Sequence, residues 1–203
     1  MDKMIFTMLN SMKNVQNKQS NNAHEIANVV TPGFKKSYSE QTQSLDVHIP
    51  GTFATRAMPV TNATNVVDMN PGALMVSGRA LDVYVNTSGA IAVQGPEGQE
   101  LYTRRGDLTI SADGQLMTGT GSLVLGDGGP ITVPGGSNIS ITNDGSVNMI
   151  PRGANAEVTV GRIKLVDTKD TEMLIREDGL YQVREGALPA SADITLTTKA
   201  LEG

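Results

Sequence analysis

Two histidines, His24 and His48, are the chain's only imidazoles, and they are the first place to look for metal or acid–base chemistry. Neither has a second His or a paired carboxylate at the spacing that metal ligation needs, so both read as surface side chains. The carboxylates Asp167, Asp170 and Glu172 alternate with Lys164 and Lys169, which is the pattern of a solvated charged turn; a glycosidase-type pair is defined by separation in space, not in sequence. No Ser occupies a G-x-S-x-G elbow, and no P-loop or G-x-G-x-x-G occurs. The cluster Gly126-Asp127-Gly128-Gly129-Pro130 runs into a β-like segment and opens no helix. Cysteine is absent, which excludes disulfides, thiolate nucleophiles and cysteine-ligated metals. No catalytic, cofactor-binding or metal-ligating residue is nominated, and no cofactor is implied.

A different chemistry could be read from the recurrence of Asp-Gly at Asp113-Gly114, Asp127-Gly128, Asp144-Gly145 and Asp178-Gly179. Calcium-binding repeats use such dipeptides, but the spacing here is irregular and further carboxylates are missing from ligand register. Hairpin turns explain them better, because glycine accepts the positive φ that tight hairpins demand. Three of the four separate strand-like pairs: 108–110 from 116–117, 139–141 from 147–149, and 173–175 from 180–183.

Acidic residues outnumber basic ones by 21 to 16 for a net charge of −5, scattered singly, which argues against a nucleic-acid-binding stripe. Lys35-Lys36 and Arg104-Arg105 are too short for polybasic patches and read as solvated surface pairs. With aromatics at 3% and no Trp, any core must be built from Val, Ile, Leu, Ala and Met.

These features need elements to carry them. Residues 3–29 hold the one clear helical pattern, with Ile5, Met8, Met12, Val15, Gln19, Asn22 and Ile26 at alternating three- and four-residue steps, a heptad seam. The seam is apolar in its first half and polar in its second, and it is rich in Met, which repacks readily against imperfect surfaces. Such a stripe is poorly stable alone; it either seeks a partner helix or packs on its own domain. Asn10, Lys13, Asn14, Gln16 and Asn17 break up the apolar run that a secretory signal requires, and no stretch approaches the roughly 20 apolar residues of a membrane span. Thr31-Pro32-Gly33 must end the helix. From Phe34 to about Met69 the chain is polar, with an alternating stretch at Ser44–Ile49 and Pro50-Gly51 in the middle, and reads as an extended connector. After Asn70-Pro71-Gly72 the pattern becomes β, beginning with Leu81–Val85 and the apolar Ala90–Val93.

The run Ala23–Lys35, ending in Thr31-Pro32-Gly33-Phe34-Lys35 after an Asn/Gln-rich amphipathic helix, resembles the N-terminal signature of flagellar rod and hook proteins. That signature is an A-N-N-x-A-N run closed by T-P-G-F-K. Ala27, Asn28, Thr31, Pro32, Gly33, Phe34 and Lys35 match it, while His24 and Glu25 stand where the family has asparagines. A second block also resembles the family: Arg79–Val83, Ala92-Val93-Gln94, Tyr102–Leu108, Asp113–Leu116 and Val124-Leu125-Gly126. The family's Trp-Phe before the Ala-Val strand is replaced by Ala90-Ile91. Gly129–Pro134 and Val160–Val166 look most like the proximal rod branch.

The resemblance implies a mainly β chain: one irregular β-domain of short strands and hairpins with a long N-terminal amphipathic helix. The expected division is an assembly helix over 1–33, a connector over 34–70 and a β-rich domain over 71–203. Relatives continue past the motif at Leu201-Glu202-Gly203 into a helix that pairs with the N-terminal one, and the sequence here stops there, either as a truncated sequence or as a version without that helix, so the C-terminal partner helix is expected to be absent from the 203 residues. The implied function is a structural, non-enzymatic rod subunit that passes torque from motor to hook. Its implied partners are copies of itself, other rod proteins and the flagellar type III export apparatus, with no nucleic acid and no membrane insertion. The implied location is the basal body, in the periplasmic space after export. A distal rod or hook-family subunit stands as an alternative, and a carbohydrate- or peptide-binding β-module as one of another class.

Overall fold

The computed structural model describes residues 2–38, 41–48, 55–62, 66–153, 156–184 and 186–203. Ile49 and Pro50-Gly51 of the sequence-stretch read as connector lie outside the described residues. Among the described residues a helix α1 (Asp2–Ala27) is followed by twenty short strands: β1 (Ser37–Tyr38), β2 (Gln41–His48), β3 (Thr55–Asn62), β4 (Val66–Val67), β5 (Leu74–Val76), β6 (Val83–Val85), β7 (Gly89–Gln94), β8 (Glu100–Thr103), β9 (Leu108–Ile110) and β10 (Leu116–Thr118). Next come β11 (Leu125–Gly126), β12 (Gly129–Pro130), β13 (Gly136–Ile141), β14 (Ser146–Pro151), β15 (Val158–Arg162), β16 (Leu165–Asp167), β17 (Leu174–Ile175), β18 (Tyr181–Gln182), β19 (Leu196–Thr198) and β20 (Ala200–Glu202). The mainly β architecture with one long helix is as the sequence implies.

The organising element is a seven-stranded antiparallel sheet ordered β1-β4-β17-β18-β8-β7-β16. Its strands β7 and β8 are buried on both faces, which is why β7 reads as an unbroken apolar run. Ile91 and Val93 of β7 join Leu101 and Leu165 on one face, against Val83, Val85, Leu108, Leu116, Val147 and Leu196. Ala90 and Ala92 look the other way, toward Tyr102, Val166, Met173 and Tyr181. Successive residues of β7, β8 and β16 thus alternate between two cores, and small alanines leave room for the two tyrosines. Both ends of the polar 34–70 stretch are tied to this sheet through β1 and β4, with Val67 and Met69 buried in the second core.

The hairpin β9–β10, the three-stranded β13-β14-β15 and the pair β6–β19 complete the first core, and β11–β12 and β5–β20 form two further pairs. Strands β2 and β3 form a separate hairpin. The turns follow one recipe. In the hairpins closed by Asp113-Gly114, Asp144-Gly145 and Asp178-Gly179, the glycine N–H donates to the carbonyl three residues back, and the strand ends close one residue later. In each of these three turns glycine alone takes a positive φ, near +80°, which is a type I turn followed by a left-handed residue. Asp144 accepts bonds from the Thr142 and Ser146 hydroxyls, and these hold its carboxyl down at about 2. Asp178 likewise accepts the Leu180 N–H at 3.0 Å, so Asp144 and Asp178 are occupied in turn hydrogen bonds.

Candidate functional site

Of the heptad seam on α1, the described apolar side chains all face solvent: Met8 is 69% exposed, Met12 71%, Val15 65% and Ile26 72%. Gln19 and Asn22 are exposed as well, and Ile5 lies on the same helix. Heptad spacing keeps these positions on one stripe of a 26-residue helix about 39 Å long. Leu9, Val29 and Val30 add exposed apolar surface next to it.

The helix ends as its sequence requires. Asn28 N–H is shared between the carbonyls of His24 and Glu25, and Val29 N–H reaches back only three residues to Ile26, so the last turn tightens. Asn28 Nδ2 also donates to the His24 carbonyl at 2.9 Å, and Thr31 N–H donates to the Asn28 carbonyl at 2.9 Å. Gly33 then reverses the chain at φ +70°. A Cβ there would lie 2.7 Å from the Arg104 carbonyl and the Arg105 nitrogen, so only glycine permits this approach. His24 and Glu25 both face the elbow. The His24 ring stands edge-on to Phe34 at 5.9 Å, and Glu25 pairs with Lys36 at 3.5 Å.

Beneath the elbow lies a buried ionic triad that the sequence did not reveal. Glu202, 1% exposed, accepts Lys35 Nζ at 2.5 Å on Oε1 and Arg104 Nε at 2.6 Å on Oε2. Its Oε1 also accepts the Gly72 N–H, and its backbone carbonyl accepts the Gly33 N–H at 3.0 Å. Arg104 is fully buried and donates three more N–H groups to the carbonyls of Thr87, Gly89 and Val85 at 2.9, 2.5 and 2.7 Å. Lys35 Nζ donates in addition to the Asn70 carbonyl at 2.5 Å. Tyr181 Oη donates to the Gly33 carbonyl at 3.2 Å; burial first, then the Glu202 charge, push its hydroxyl well above the ordinary tyrosine range. Every polar atom here has a partner, the condition under which buried charge is tolerated.

The reading of Lys35-Lys36 and Arg104-Arg105 as two solvated pairs is thereby corrected: one member of each pair is buried and the other is not. Lys36 is exposed, and Arg105 pairs at the surface with Asp107 at 2.6 Å. The physical reason is strand geometry. Arg104 extends β8, whose residues are buried on both faces, so its side chain has no route to water. The available signal was Arg104 following Leu101-Tyr102-Thr103 in an apolar strand, which demanded a carboxylate somewhere; nothing local identified Glu202.

An open groove of about 570 Å³ runs between the elbow and the β17–β18 turn, past His24, Phe34, Arg105, Arg176 and Tyr181. Its cations are already engaged, Arg105 by Asp107 and Arg176 by Asp178. Among the described residues no group of three or more His, Cys, Asp or Glu could hold a metal ion, and no helix is long and apolar enough to cross a membrane. The arrangement is an exposed helical stripe joined to a β-body through a hydrogen-bonded elbow.

The flagellar hook protein FlgE/F/G D1 domain matches residues 84–149, the stretch from β6 through most of β14. The flagellar basal-body rod protein FlgF of Salmonella typhimurium is 37% identical over 213 residues, covering all of this chain and 83% of that protein. Its counterpart in Escherichia coli K12 is 34% identical over 212 residues with the same coverage. The flagellar basal-body rod protein FlgG of Bacillus subtilis is 30% identical over 159 residues, covering 72% of this chain and 60% of that protein.

Proposed function

The chain belongs to the FlgF family of flagellar basal-body rod proteins, and from that premise we propose that it is a structural subunit of the flagellar rod, located in the basal body. The single observation that carries the mechanism is the solvent-facing seam of α1, with Met8, Met12, Val15 and Ile26 open to a partner. A helix gains most of its stability by burying such a stripe, so the natural occupant is another axial helix of the assembly, a copy of this chain or another rod protein. Ile5, Gln19 and Asn22 complete the seam, and the motif Ala27-Asn28 with Thr31–Lys35 forms its anchored end.

In this reading residues 1–33 are the assembly helix, 34–70 a connector stitched to the sheet at both ends, and 71–203 the β-body that packs against neighbouring subunits. Torque passes from helix to body through the elbow, whose backbone is bonded to Glu202. The chemistry is that of packing, with no catalytic step and no cofactor. A place in the proximal rod, and export through the flagellar type III apparatus to the periplasmic space, are supported by family membership alone.

Deleting residues 1–30 tests the proposal. The β-body of the variant is expected to fold, while the protein disappears from purified basal bodies and the cells stop swimming. Normal swimming in that strain would sink the assignment.

A further inference from the structure

The triad joins parts of the chain that are far apart in sequence. Lys35 and Glu202 are separated by 167 residues, and Arg104 and Glu202 by 98. The elbow's own backbone depends on the same strand, because Gly33 N–H donates to the Glu202 carbonyl. Strand β20 holds no position in the seven-stranded sheet; it pairs with β5, yet its Glu202 is among the most buried charged groups of the molecule.

We propose that Lys35, Glu202 and Arg104 form a latch that fixes the direction in which α1 leaves the β-body, and that this latch closes only after β20 has been laid down. The seam is then presented in one orientation only by a chain that has folded through residue 202. A partly folded chain carries the same helix on a loose tether.

The chemistry makes the latch directional. Without Glu202 two cations remain in a site closed to water, Arg104 with no route out, and the Gly33 N–H loses its acceptor if the strand shifts. Glu202 without β20 in place has neither cation to meet. Lys35 differs from Arg104 in that it reaches the site from the elbow, where its Nζ donates to the Asn70 carbonyl and to Glu202. Losing Lys35 therefore loosens the elbow, which keeps its Gly33 bonds to the Glu202 carbonyl and to Tyr181, while Glu202 keeps Arg104 and Gly72, so the β-body stays folded. Loop closure over so long a separation is slow relative to local hairpins, which puts the latch last in the order of folding.

The latch is a property of the isolated chain, while its use in assembly rests on the rod-subunit reading, so the two are tested separately. The absence of cysteine allows spin labels at introduced Ala23→Cys and Glu97→Cys without background. In the otherwise unaltered full chain the label distance is expected to be narrow. Lys35→Met should broaden it and speed amide exchange over residues 31–36 about tenfold or more, with the β-body's circular dichroism unchanged. Lys36→Met, on the exposed neighbour, should do neither. During refolding, pulse labelling should protect 31–36 together with 196–203 and never before them. A distance as narrow in Lys35→Met as in the parent, or protection of the elbow ahead of β20, overturns the latch. If the latch opens as described and a Lys35→Met strain nevertheless swims normally, the latch stands and its role in rod assembly fails.

Discussion

Arg104 and Arg105 are adjacent, identical in type and opposite in setting, so replacing each by Met measures what burial does to one charge. Arg104 is fully buried, with one ionic bond to Glu202 and three carbonyl acceptors. Breaking a buried pair costs about 3–5 kcal/mol, and each buried carbonyl left without a donor about 1–3 kcal/mol. Partial rescue of Glu202 by Lys35 offsets some of this, leaving roughly 6 kcal/mol against a total stability of about 5–15 kcal/mol. At about 2–4 °C per kcal/mol for a chain of this size, Arg104→Met should lower Tm by more than about 12 °C or prevent folding. Arg105→Met loses a partly exposed pair with Asp107, at most about 1 kcal/mol, and should shift Tm by less than about 4 °C. Thermal melts followed by far-ultraviolet circular dichroism read both, and urea titration checks the order. Equal shifts for the two variants would refute the account of the triad.

Other outcomes follow from the same geometry. Gly106→Ala should destabilise by several kcal/mol, on the scale of overpacking or worse, since its Cβ would overlap the Val83 carbonyl oxygen; a urea midpoint within error of the parent contradicts this. Burial, with help from Glu100, pushes the Tyr102 hydroxyl up to about 12, and Tyr181 lies higher still. Because these values are raised, the stability they contribute is fully present below the ordinary pKa near 10 and is lost as pH rises through 12. Absorbance at 295 nm should show Tyr102 and Tyr181 titrating only with unfolding. Met8→Asp with Met12→Asp, both at solvent-facing positions, should leave the melting of the β-body unchanged and remove the protein from basal bodies; a large loss of Tm would mean the seam is packed within the monomer.

What could be read without coordinates was governed by local rules. The stop of α1 before Thr31-Pro32-Gly33 and the hairpins at Asp113-Gly114, Asp144-Gly145 and Asp178-Gly179 depend on neighbours a few residues apart, and each was legible. Ala90–Val93 was legible as a strand, but not the division of its side chains between two cores, which depends on what packs on each face. The triad was illegible because Lys35, Arg104 and Glu202 meet only through tertiary structure. A dipeptide such as Arg104-Arg105 has no feature that says which member lies against β6 and β7. The motif ending at Lys35 pointed to the right place through family resemblance, while the reason for its glycine and lysine emerged only from Arg104 and Glu202.

The most direct test of the rod-subunit account is to place a photo-crosslinking side chain at Met12, in full-length protein within intact, motile cells, and to identify its adducts in purified basal bodies. The account predicts a specific adduct between this helix and another rod subunit or a second copy, absent when the same side chain stands at Glu157 on the β-body. A Met12 side chain that crosslinks to nothing in assembled basal bodies, or a protein missing from basal bodies of swimming cells, would contradict it.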